Sequence, residues 1–304
     1  MSKIIAIGGL TSSGKSSLGI KIAKKFDGEI INADSRQIYR YLDIGTGKEP
    51  VSEHKKDGTV IINGIIHHLI DILDPDEDYN LATYKKKTES KISEIADRDK
   101  LPILVGGTGL YLDAVVYNYA LEGNGPDLHQ REYLQSLEID QLQKLCHKND
   151  PRSFSEMNQS DKKNPHRLIR CIERSQYKER SNTNREKSPY TSLYLCRNTS
   201  ALQLENQIND RVEEMFKTGL LEENKKLREQ GFSTEMSSMK TIGYREFDEY
   251  FSGNITLEET KSLIKTHTRQ YAKRQMTWFK RNPDITWFKT PKKALELVSK
   301  FLSS

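Results

Sequence analysis

The stretch AIGGLTSSGKSSLGI, residues 6–20, contains the pattern G-x-x-x-x-G-K-[ST] from Gly9 to Ser16. The apolar residues just before the pattern, at 3–7, predict a buried strand, and those at 18–23 predict a helix packed on a sheet. A strand, a glycine-rich loop and a helix in this order are typical of a phosphate-binding loop. The sequence therefore predicts a polyphosphate site made of Gly9, Thr11, Ser12, Ser13, Gly14, Lys15 and Ser16.

The residue types of this loop suit an anion. Glycine lets the backbone approach phosphate oxygens, while successive N–H groups and the positive end of the following helix hold them. Lys15 adds a mobile positive charge, and the Ser16 hydroxyl is suited to bind a magnesium ion that bridges two phosphates. Mg²⁺ is therefore the expected cofactor, with Ser16 as its ligand. The loop alone does not define the reaction.

The composition is that of a globular chain. It has 304 residues, a formal net charge of +5, 35% hydrophobic residues and 30% charged residues. No apolar run approaches the roughly 20 residues that span a bilayer, which excludes a membrane protein of that kind. The phosphate loop begins at Gly9, leaving no room for a signal peptide, and Cys146, Cys171 and Cys196 lack metal-ligand spacing. We therefore expect reduced thiols and a cytoplasmic protein.

Strands and helices alternate along most of the chain. Further buried strands are predicted at 29–32, 101–105 and 191–196. Helical periodicity is found at 81–99, 201–230 and 257–281. This alternation predicts an α/β fold, a P-loop NTPase-like core with a parallel sheet flanked by helices. The core is predicted to comprise residues 1–116 and 191–304, and the polar segment 117–190 is predicted to be a helical insertion domain.

Three segments of the predicted core follow directly on strands. They are the phosphate loop, the pair Asp34-Ser35 and the turn Gly106–Gly109. Because the carboxyl ends of parallel strands meet at one edge of a sheet, ligands bind at that edge. We therefore expect these three segments to line one site.

The C-terminal part of the chain carries a basic run. Residues 261–293 contain ten lysines and arginines against one acid, Asp284, and Tyr271, Trp278 and Phe279 are interleaved with them. Cations that hold phosphates beside aromatic rings that stack on bases are typical of an RNA-facing helix. A solvated helix face, with Trp278 and Phe279 in the core, explains the same pattern. The run by itself leaves both interpretations open.

Three classes of protein use such a loop. A small-molecule kinase would hold ATP there, with Asp34 positioning the acceptor hydroxyl. A GTPase or ATPase switch is disfavoured because the chain has no N-K-x-D sequence. A transferase with diphosphate as its leaving group would move the attached carbon instead. The basic helix and the large insertion favour a macromolecular acceptor, and the kinase stays the alternative.

Several blocks of sequence resemble the tRNA dimethylallyltransferase family, also called the tRNA isopentenyltransferases. They extend along nearly the whole chain in the family's order. The blocks are Gly9–Ser16, Asp34–Tyr39, Asp43–Lys48, His67–Asp71, Val105–Tyr111, Asn164–Arg170, Ile242–Glu246 and Thr268–Gln275. Leu10 departs from the pattern, since the family has proline at that position of the loop. One block is compatible with chance, but eight in order are not.

The resemblance implies a reaction and a set of partners. The family transfers a dimethylallyl group from dimethylallyl diphosphate to the exocyclic amine of the adenosine 3′ to the anticodon, in tRNAs reading codons that start with U. Asp34 is then the proton acceptor, Thr108 positions a substrate, and Lys15 and Arg211 face the diphosphate. The insertion would grip the anticodon stem-loop, and the protein is expected to act as a monomer without a membrane partner.

The resemblance also implies a set of residues that bind tRNA. They are Asp34, Ser35, Arg36, Gln37, Thr108, Arg131, Arg167, Arg170, Gly243, Tyr244, Arg245, Arg269, Lys273 and Arg274. Arg131 is the candidate for an arginine that the family has near the start of the insertion. A solvated helix face also explains Arg167 and Arg170, and a surface salt bridge also explains Arg211.

Overall fold

The computed structural model describes residues 2–121, 127–176 and 187–304. The chain forms two compact units, a larger one of Met1–Asn118 with Ser188–Ser304 and a smaller one of Tyr119–Lys187. Each boundary lies within three residues of the one that the sequence predicts. None of the helices in the described residues is long and apolar enough to cross a membrane.

The larger unit is built on one sheet. Over the described residues its eight strands are β1 (Ser2–Gly8), β2 (Gly28–Asn32), β3 (Glu53–His54), β4 (Val60–Ile62), β5 (Ile65–His68), β6 (Leu101–Val105), β7 (Tyr190–Arg197) and β8 (Thr286–Phe288). They lie in the order β3-β4-β5-β2-β6-β1-β7-β8. In this spatial order, each neighbouring pair from β5 through β2, β6, β1 and β7 to β8 is parallel. The two remaining pairs, β3-β4 and β4-β5, are antiparallel. The predicted α/β class with a parallel sheet is therefore confirmed.

Helices connect and cover these strands. In the larger unit they are α1 (Lys15–Phe26), α2 (Leu81–Ala96), α3 (Gly109–Val116), α9 (Ala201–Lys217), α10 (Leu220–Glu229), α11 (Phe247–Phe251), α12 (Leu257–Lys280) and α13 (Pro291–Ser303). Several ends follow local chemistry. The Asn80 side chain accepts the Thr83 N–H at the start of α2, and Thr256 forms a capping box with Glu259 at the start of α12. A break at Thr218-Gly219 divides the predicted helical segment 201–230 into α9 and α10.

Alternate residues of the central strands bury into opposite layers. Ile4 and Ala6 pack with α2, α3 and α12, whereas Ile5 and Ile7 pack with α1 and α13. This is the period of two that an extended strand imposes. All four side chains are fully buried, as parallel strands covered on both faces require. The two layers hold the sheet rigidly under the loops at its carboxyl edge.

The smaller unit is helical. Its helices in the described residues are α4 (Leu128–Gln135), α5 (Ile139–Asn149), α6 (Pro151–Glu156), α7 (Gln159–Lys162) and α8 (Pro165–Gln176). Its core contains Leu142, Cys146, Leu168, Cys171 and Ile172, all nearly inaccessible to solvent. All three cysteines are free thiols, as the sequence predicts.

The basic run on α12 is less uniform than its sequence suggests. Lys261 and Lys265 both pair with Glu213 on α9, at 3.2 Å and 2.6 Å, so these charges are locally balanced. Phe279 is fully buried against β1 and β7, and Trp278 donates its ring N–H to Asp113 at 2.8 Å. Of the two interpretations that the sequence left open, core packing therefore holds for Phe279, because its ring is fully buried.

We predict that Phe279→Ala destabilises the protein by about 3–5 kcal/mol, because it removes a fully buried ring and leaves a cavity under β1. Chemical denaturation followed by circular dichroism measures this loss. Lys280→Ala is the matched control, since that neighbouring side chain is exposed. An unchanged unfolding curve for the Phe279 variant would contradict the core assignment.

Candidate active site

The phosphate loop is held in a fixed shape between β1 and α1. The backbone N–H and hydroxyl of Ser13 both donate to the carbonyl of Leu10, at 3.2 Å and 2.7 Å. The Arg197 guanidinium donates to the Ser13 carbonyl at 2.7 Å. Gly14, the residue before α1, has a φ of 79°, a left-handed conformation that glycine adopts without strain. The loop thus ends with the first turn of α1 directed at its concave side.

Several anion donors of this loop are open. Among the described residues, the N–H groups of Gly14, Lys15 and Ser16 have no backbone acceptor, as expected at the start of a helix. The Ser12 hydroxyl is buried without a hydrogen-bond partner. The Thr11 N–H differs, because it donates to the side-chain carbonyl of Gln275 at 2.8 Å. The predicted anion site is therefore centred on residues 12–16.

Lys15 and Asp34 face the same space. Burial lowers the pKa of the Lys15 ammonium, the nearby Asp34 carboxylate opposes this shift, and Arg211 adds to it. A Cβ atom placed on Gly107 would lie 3.4 Å from Oδ2 of Asp34 and 3.5 Å from Nζ of Lys15. The loops after β1, β2 and β6 therefore bring these groups together, as their positions in the sequence predict.

Asp34 is fixed by its own loop. Its N–H donates to the Asn32 side chain at 3.0 Å, and its Oδ1 accepts the N–H of Arg36 at 3.1 Å. Asn32 also donates to the carbonyl of Leu69 at 3.0 Å, which anchors the loop to the neighbouring strand. These bonds use one carboxylate oxygen and leave Oδ2 directed toward Gly107.

Thr108 connects the loops after β2 and β6. Its hydroxyl oxygen accepts the N–H of Ser35 at 3.0 Å, and its hydroxyl donates to the side chain of Ser35 at 3.3 Å. The Tyr271 hydroxyl also interacts with Thr108 and with Gln275, and burial raises the pKa of this phenol. Thr108 is thus a structural link at the site as well as a cavity-lining side chain.

Arg211 lies in the wall of the site. Its guanidinium donates to the carbonyl of Thr46 at 3.1 Å, and a side chain on Gly47 would overlap it. Burial lowers the pKa of Arg211, and the charge of Asp34 opposes the shift. Among the described residues, no carboxylate lies within 4 Å of this guanidinium. The surface salt bridge considered from the sequence is therefore not found.

A cavity of about 350 Å³ opens between these elements. Its polar lining includes Thr11, Asp34, Thr108 and Arg211. The apolar lining residues Ile208, Val212, Met215, Ile242 and Ile264 belong to one packed cluster and form an apolar wall. The lining also contains the cations Arg36, Lys240, Arg245 and Arg274. The cavity thus combines a carboxylate, an apolar wall and several cations.

Lys240 was not identified from the sequence as a site residue. It is exposed and contributes to the lining of the cavity. It lies two residues before the block Ile242–Glu246 and follows no motif of its own, so only the structure reveals it.

One carboxylate supports the loop that contacts Arg211. Glu223 accepts the N–H groups of Asp43, Ile44 and Gly45, at 3.2, 2.8 and 3.1 Å, and the Tyr244 hydroxyl at 2.7 Å. Burial raises its pKa, and these hydrogen bonds oppose the shift. The carboxylate therefore fixes the loop whose carbonyl groups contact the guanidinium.

Tyr244 and Gly243 were predicted to bind tRNA, but they pack inside the larger unit. Tyr244 is fully buried, with its ring where a side chain on Gly45 would lie, and Gly243 lies against the same glycine. The side chain of Tyr244 is therefore not available to an RNA, because it supports the loop of Gly45. Gly243 and Tyr244 thus have a structural role, whereas Arg245 of the same block lines the cavity.

The remaining predicted tRNA contacts differ in their surroundings. Arg36 donates to the carbonyl of Ser237 at 2.8 Å, Gln37 donates to the carbonyl of Thr46 at 3.3 Å, and Arg245 pairs with the buried Glu246 at 3.0 Å. On α12, Arg269 donates to Asn209 at 3.3 Å. Lys273 and Arg274 are exposed. Together with Lys280, these last two residues are the exposed cations of the helix.

In the smaller unit, the three predicted arginines all have acidic partners. Arg131 forms a two-pronged pair with the buried Glu173, at 2.7 Å and 2.8 Å. Arg170 reaches the same carboxylate at 3.4 Å, and Arg167 pairs with Asp161. Their contact with tRNA stays a prediction.

The fold and the loop define the class of this chain, the P-loop type of α/β protein. The family described as IPP transferase matches residues 37–282, so the chain belongs to that family. The tRNA dimethylallyltransferase of Carboxydothermus hydrogenoformans is 40% identical over an alignment of 309 residues, which covers 98% of this chain and 95% of that protein.

Two solved structures are similar over the full length of the chain. The tRNA isopentenylpyrophosphate transferase of Bacillus halodurans has a TM-score of 0.72 and 34% identity, with 96% of its chain covered. A eukaryotic dimethylallyltransferase captured acting on tRNA has a TM-score of 0.80 and 28% identity, with 80% of its chain covered. The family resemblance seen in the sequence blocks is therefore confirmed.

We predict that Glu223→Gln destabilises the protein by about 1–3 kcal/mol. The substitution replaces one carboxylate oxygen with an NH₂ group, which cannot accept the hydrogen bonds that the facing N–H groups donate. It should also weaken the binding of inorganic diphosphate, since the loop that contacts Arg211 is released. Thermal unfolding and calorimetric titration measure the two effects. Glu229→Gln, at an exposed position of the same helix, should leave both unchanged. Wild-type diphosphate affinity in the Glu223 variant would refute the link to Arg211.

Proposed function

We propose that this protein transfers a dimethylallyl group from dimethylallyl diphosphate to the exocyclic amine of the adenosine 3′ to the anticodon, in tRNAs that read codons starting with U. The products are N6-isopentenyladenosine and diphosphate. The observation that carries the proposal is a cavity lined by Asp34, Arg211 and apolar side chains, with Lys15 of the phosphate loop close to Asp34 beside Gly107. Family membership supports the same reaction.

The cavity and the phosphate loop beside it match the parts of the donor. The open N–H groups of Gly14, Lys15 and Ser16, with the charges of Lys15 and Arg211, suit a diphosphate. The apolar wall suits a short hydrocarbon chain, because it offers no polar group to bind. The lining cations suit the phosphates of an RNA. A dimethylallyl donor and an RNA acceptor are therefore both accommodated.

The proposed step breaks one bond and makes another. The bond between the allylic carbon and the bridging oxygen breaks, and its electron pair leaves with the diphosphate. The adenine nitrogen forms the new bond to carbon, and Asp34 accepts one proton of the amine. Lys15 and Arg211 stabilise the charge that develops on the departing oxygen. The phosphate loop therefore holds the leaving group, and no phosphate is transferred.

We propose that Mg²⁺ assists at Ser16. Among the described residues, no cluster of three or more His, Cys, Asp or Glu side chains is suited to a metal. A site with one hydroxyl ligand fits Mg²⁺, which keeps several waters and binds substrate phosphate oxygens. The unpaired Ser12 hydroxyl and the open N–H groups are available to bind a diphosphate beside that position. When bound, the ion would neutralise charge on the leaving group.

The kinase alternative is less well supported. The similar proteins are transferases of isopentenyl or dimethylallyl groups, and the cavity has an apolar wall where a kinase would need to orient a hydroxyl acceptor. The monomeric state and the cytoplasmic location expected from the sequence stay predictions.

The decisive experiment incubates the protein with dimethylallyl diphosphate, labelled in the dimethylallyl group, and an anticodon stem-loop RNA. We expect label in the RNA and release of diphosphate. Replacing Asp34 with Asn should lower kcat about 10²- to 10⁴-fold, because the amide cannot accept the proton, while the KM for the donor changes little. Asp76→Asn, on an exposed loop, is the control. Transfer of phosphate from ATP to a metabolite, without prenyl transfer, would favour the kinase instead.

Lys273 and Arg274, two of the three exposed cations of α12, give a separate prediction for the RNA. Replacing Lys273 and Arg274 with Ala should weaken binding of the stem-loop and reduce the slope of log K against log salt by about 1.5, since two phosphate contacts are lost. The double variant of Lys261 and Lys265 is the control, because both already pair with Glu213. Filter binding at several salt concentrations measures the slopes, and equal slopes for both variants would contradict the assignment.

A further inference from the structure

The side chain of Gln275 joins two loops of the site. Its carbonyl oxygen accepts the N–H of Thr11 in the phosphate loop at 2.8 Å, and its NH₂ donates to the carbonyl of Gly107 at 2.9 Å. The side chain is buried, with 5% of its surface exposed. Because a backbone N–H only donates and a carbonyl only accepts, the orientation of the amide is determined by these partners.

The amide of Gln275 is tightly packed against its neighbours. A side chain on Gly107 would overlap the NH₂ of Gln275, so the glycine is required by the amide. Tyr271, one helical turn earlier on α12, interacts through its hydroxyl with both Gln275 and Thr108. The inner face of α12 is thus bonded to the loops after β1 and β6.

The outer face of the same turn carries different chemistry. Lys273 and Arg274 immediately precede Gln275 and are exposed to solvent. Lys273 and Arg274 are thus exposed to solvent, whereas the next residue, Gln275, is buried and bonded to the phosphate loop. The Thr11 N–H, which is used by Gln275, is not free for a phosphate.

We propose that Gln275 is a positioning residue for the transfer reaction, an inference that rests on the proposed function. By linking Thr11 to Gly107, it holds the phosphate loop and the loop after β6 at the separation at which Lys15 and Asp34 face one reacting centre. It does not touch the reacting atoms. Its contribution requires one acceptor and one donor at the end of the side chain.

Two substitutions separate this role from simple packing. Gln275→Met keeps a similar volume but has neither hydrogen bond, so kcat/KM for the dimethylallyl donor should fall about 10- to 100-fold. Gln275→Glu has only acceptors when ionised, and its charge opposes the Gly107 carbonyl. When protonated, it offers one acceptor and one donor, the pattern of the native amide. The Glu variant should therefore recover activity as the pH falls.

The readout is the ratio of kcat/KM in the Glu variant to that in the wild type, measured between pH 8 and pH 5. Lys15, Asp34 and Tyr271 face this position in both proteins, so the ratio removes their shared contribution. Burial raises the pKa of a carboxyl group, which brings the titration into this range. We expect the ratio to rise about tenfold or more toward low pH, and the affinity for the stem-loop RNA to change less than about twofold.

Matched controls lie on the same helix. Gln270→Met and Gln270→Glu change an exposed glutamine in the same way and should leave the ratio near one at every pH. Wild-type kcat/KM in Gln275→Met, or a ratio for Gln275→Glu that does not change with pH, would overturn the inference.

The proposed function and this inference fail in different ways. Absence of prenyl transfer by the wild type would contradict the proposed function. Calorimetric titration with inorganic diphosphate then tests the inference alone, since Gln275→Met should bind it about tenfold more weakly through the misplaced loop. Equal affinity of the wild type and this variant for diphosphate would overturn the inference, even if transfer occurs.

Discussion

The active edge of the sheet depends on the close approach of two backbones, where Gly106 lies against Ala33. A side chain on Gly106 would overlap the backbone of Ala33, and the N–H of Thr108 donates to the Ala33 carbonyl at 3.2 Å. This contact locks the loop after β6 to the loop after β2, which carries Asp34. The phosphate loop joins them from the central strand. The contact therefore fixes the loop that carries Asp34 relative to Gly107, beside which Lys15 also lies.

The charges assembled at this edge are unbalanced in favour of cations. Lys15 and Arg211 are both enclosed by protein, which lowers the pKa of each, and Asp34 is the anion that opposes both shifts. In a region of low dielectric, two positive groups with one carboxylate attract a further anion strongly. In the proposed reaction a diphosphate would supply that charge, and the apolar wall would keep water away from the attached hydrocarbon chain. The burial that costs these charged groups solvation free energy would therefore favour the proposed donor.

The sequence blocks of the family serve two different purposes in this fold. Some place chemical groups in the cavity, such as Asp34 and Arg245. Others build the support behind it, as when Tyr244 fills the space beside Gly45 and gives its hydroxyl to Glu223. Arg211 then takes its place through the carbonyl of Thr46. A residue within such a block is therefore not evidence of ligand contact until its burial and partners are known.

Local sequence patterns are enough to predict the class of fold, the phosphate loop and the edge of the sheet on which the candidate site lies. These follow from local patterns, since a strand, a glycine-rich loop and a helix are specified by neighbouring residues, and parallel strands align their ends. Which side chains of the basic helix α12 lack partners within the protein is evident only from the folded chain. Lys261 and Lys265 are paired, Phe279 is in the core and Gln275 is bonded to two loops, because those partners lie more than forty residues away in the chain. Charge and hydropathy along one helix carry no information about distant partners, and that is why these roles depended on the folded chain.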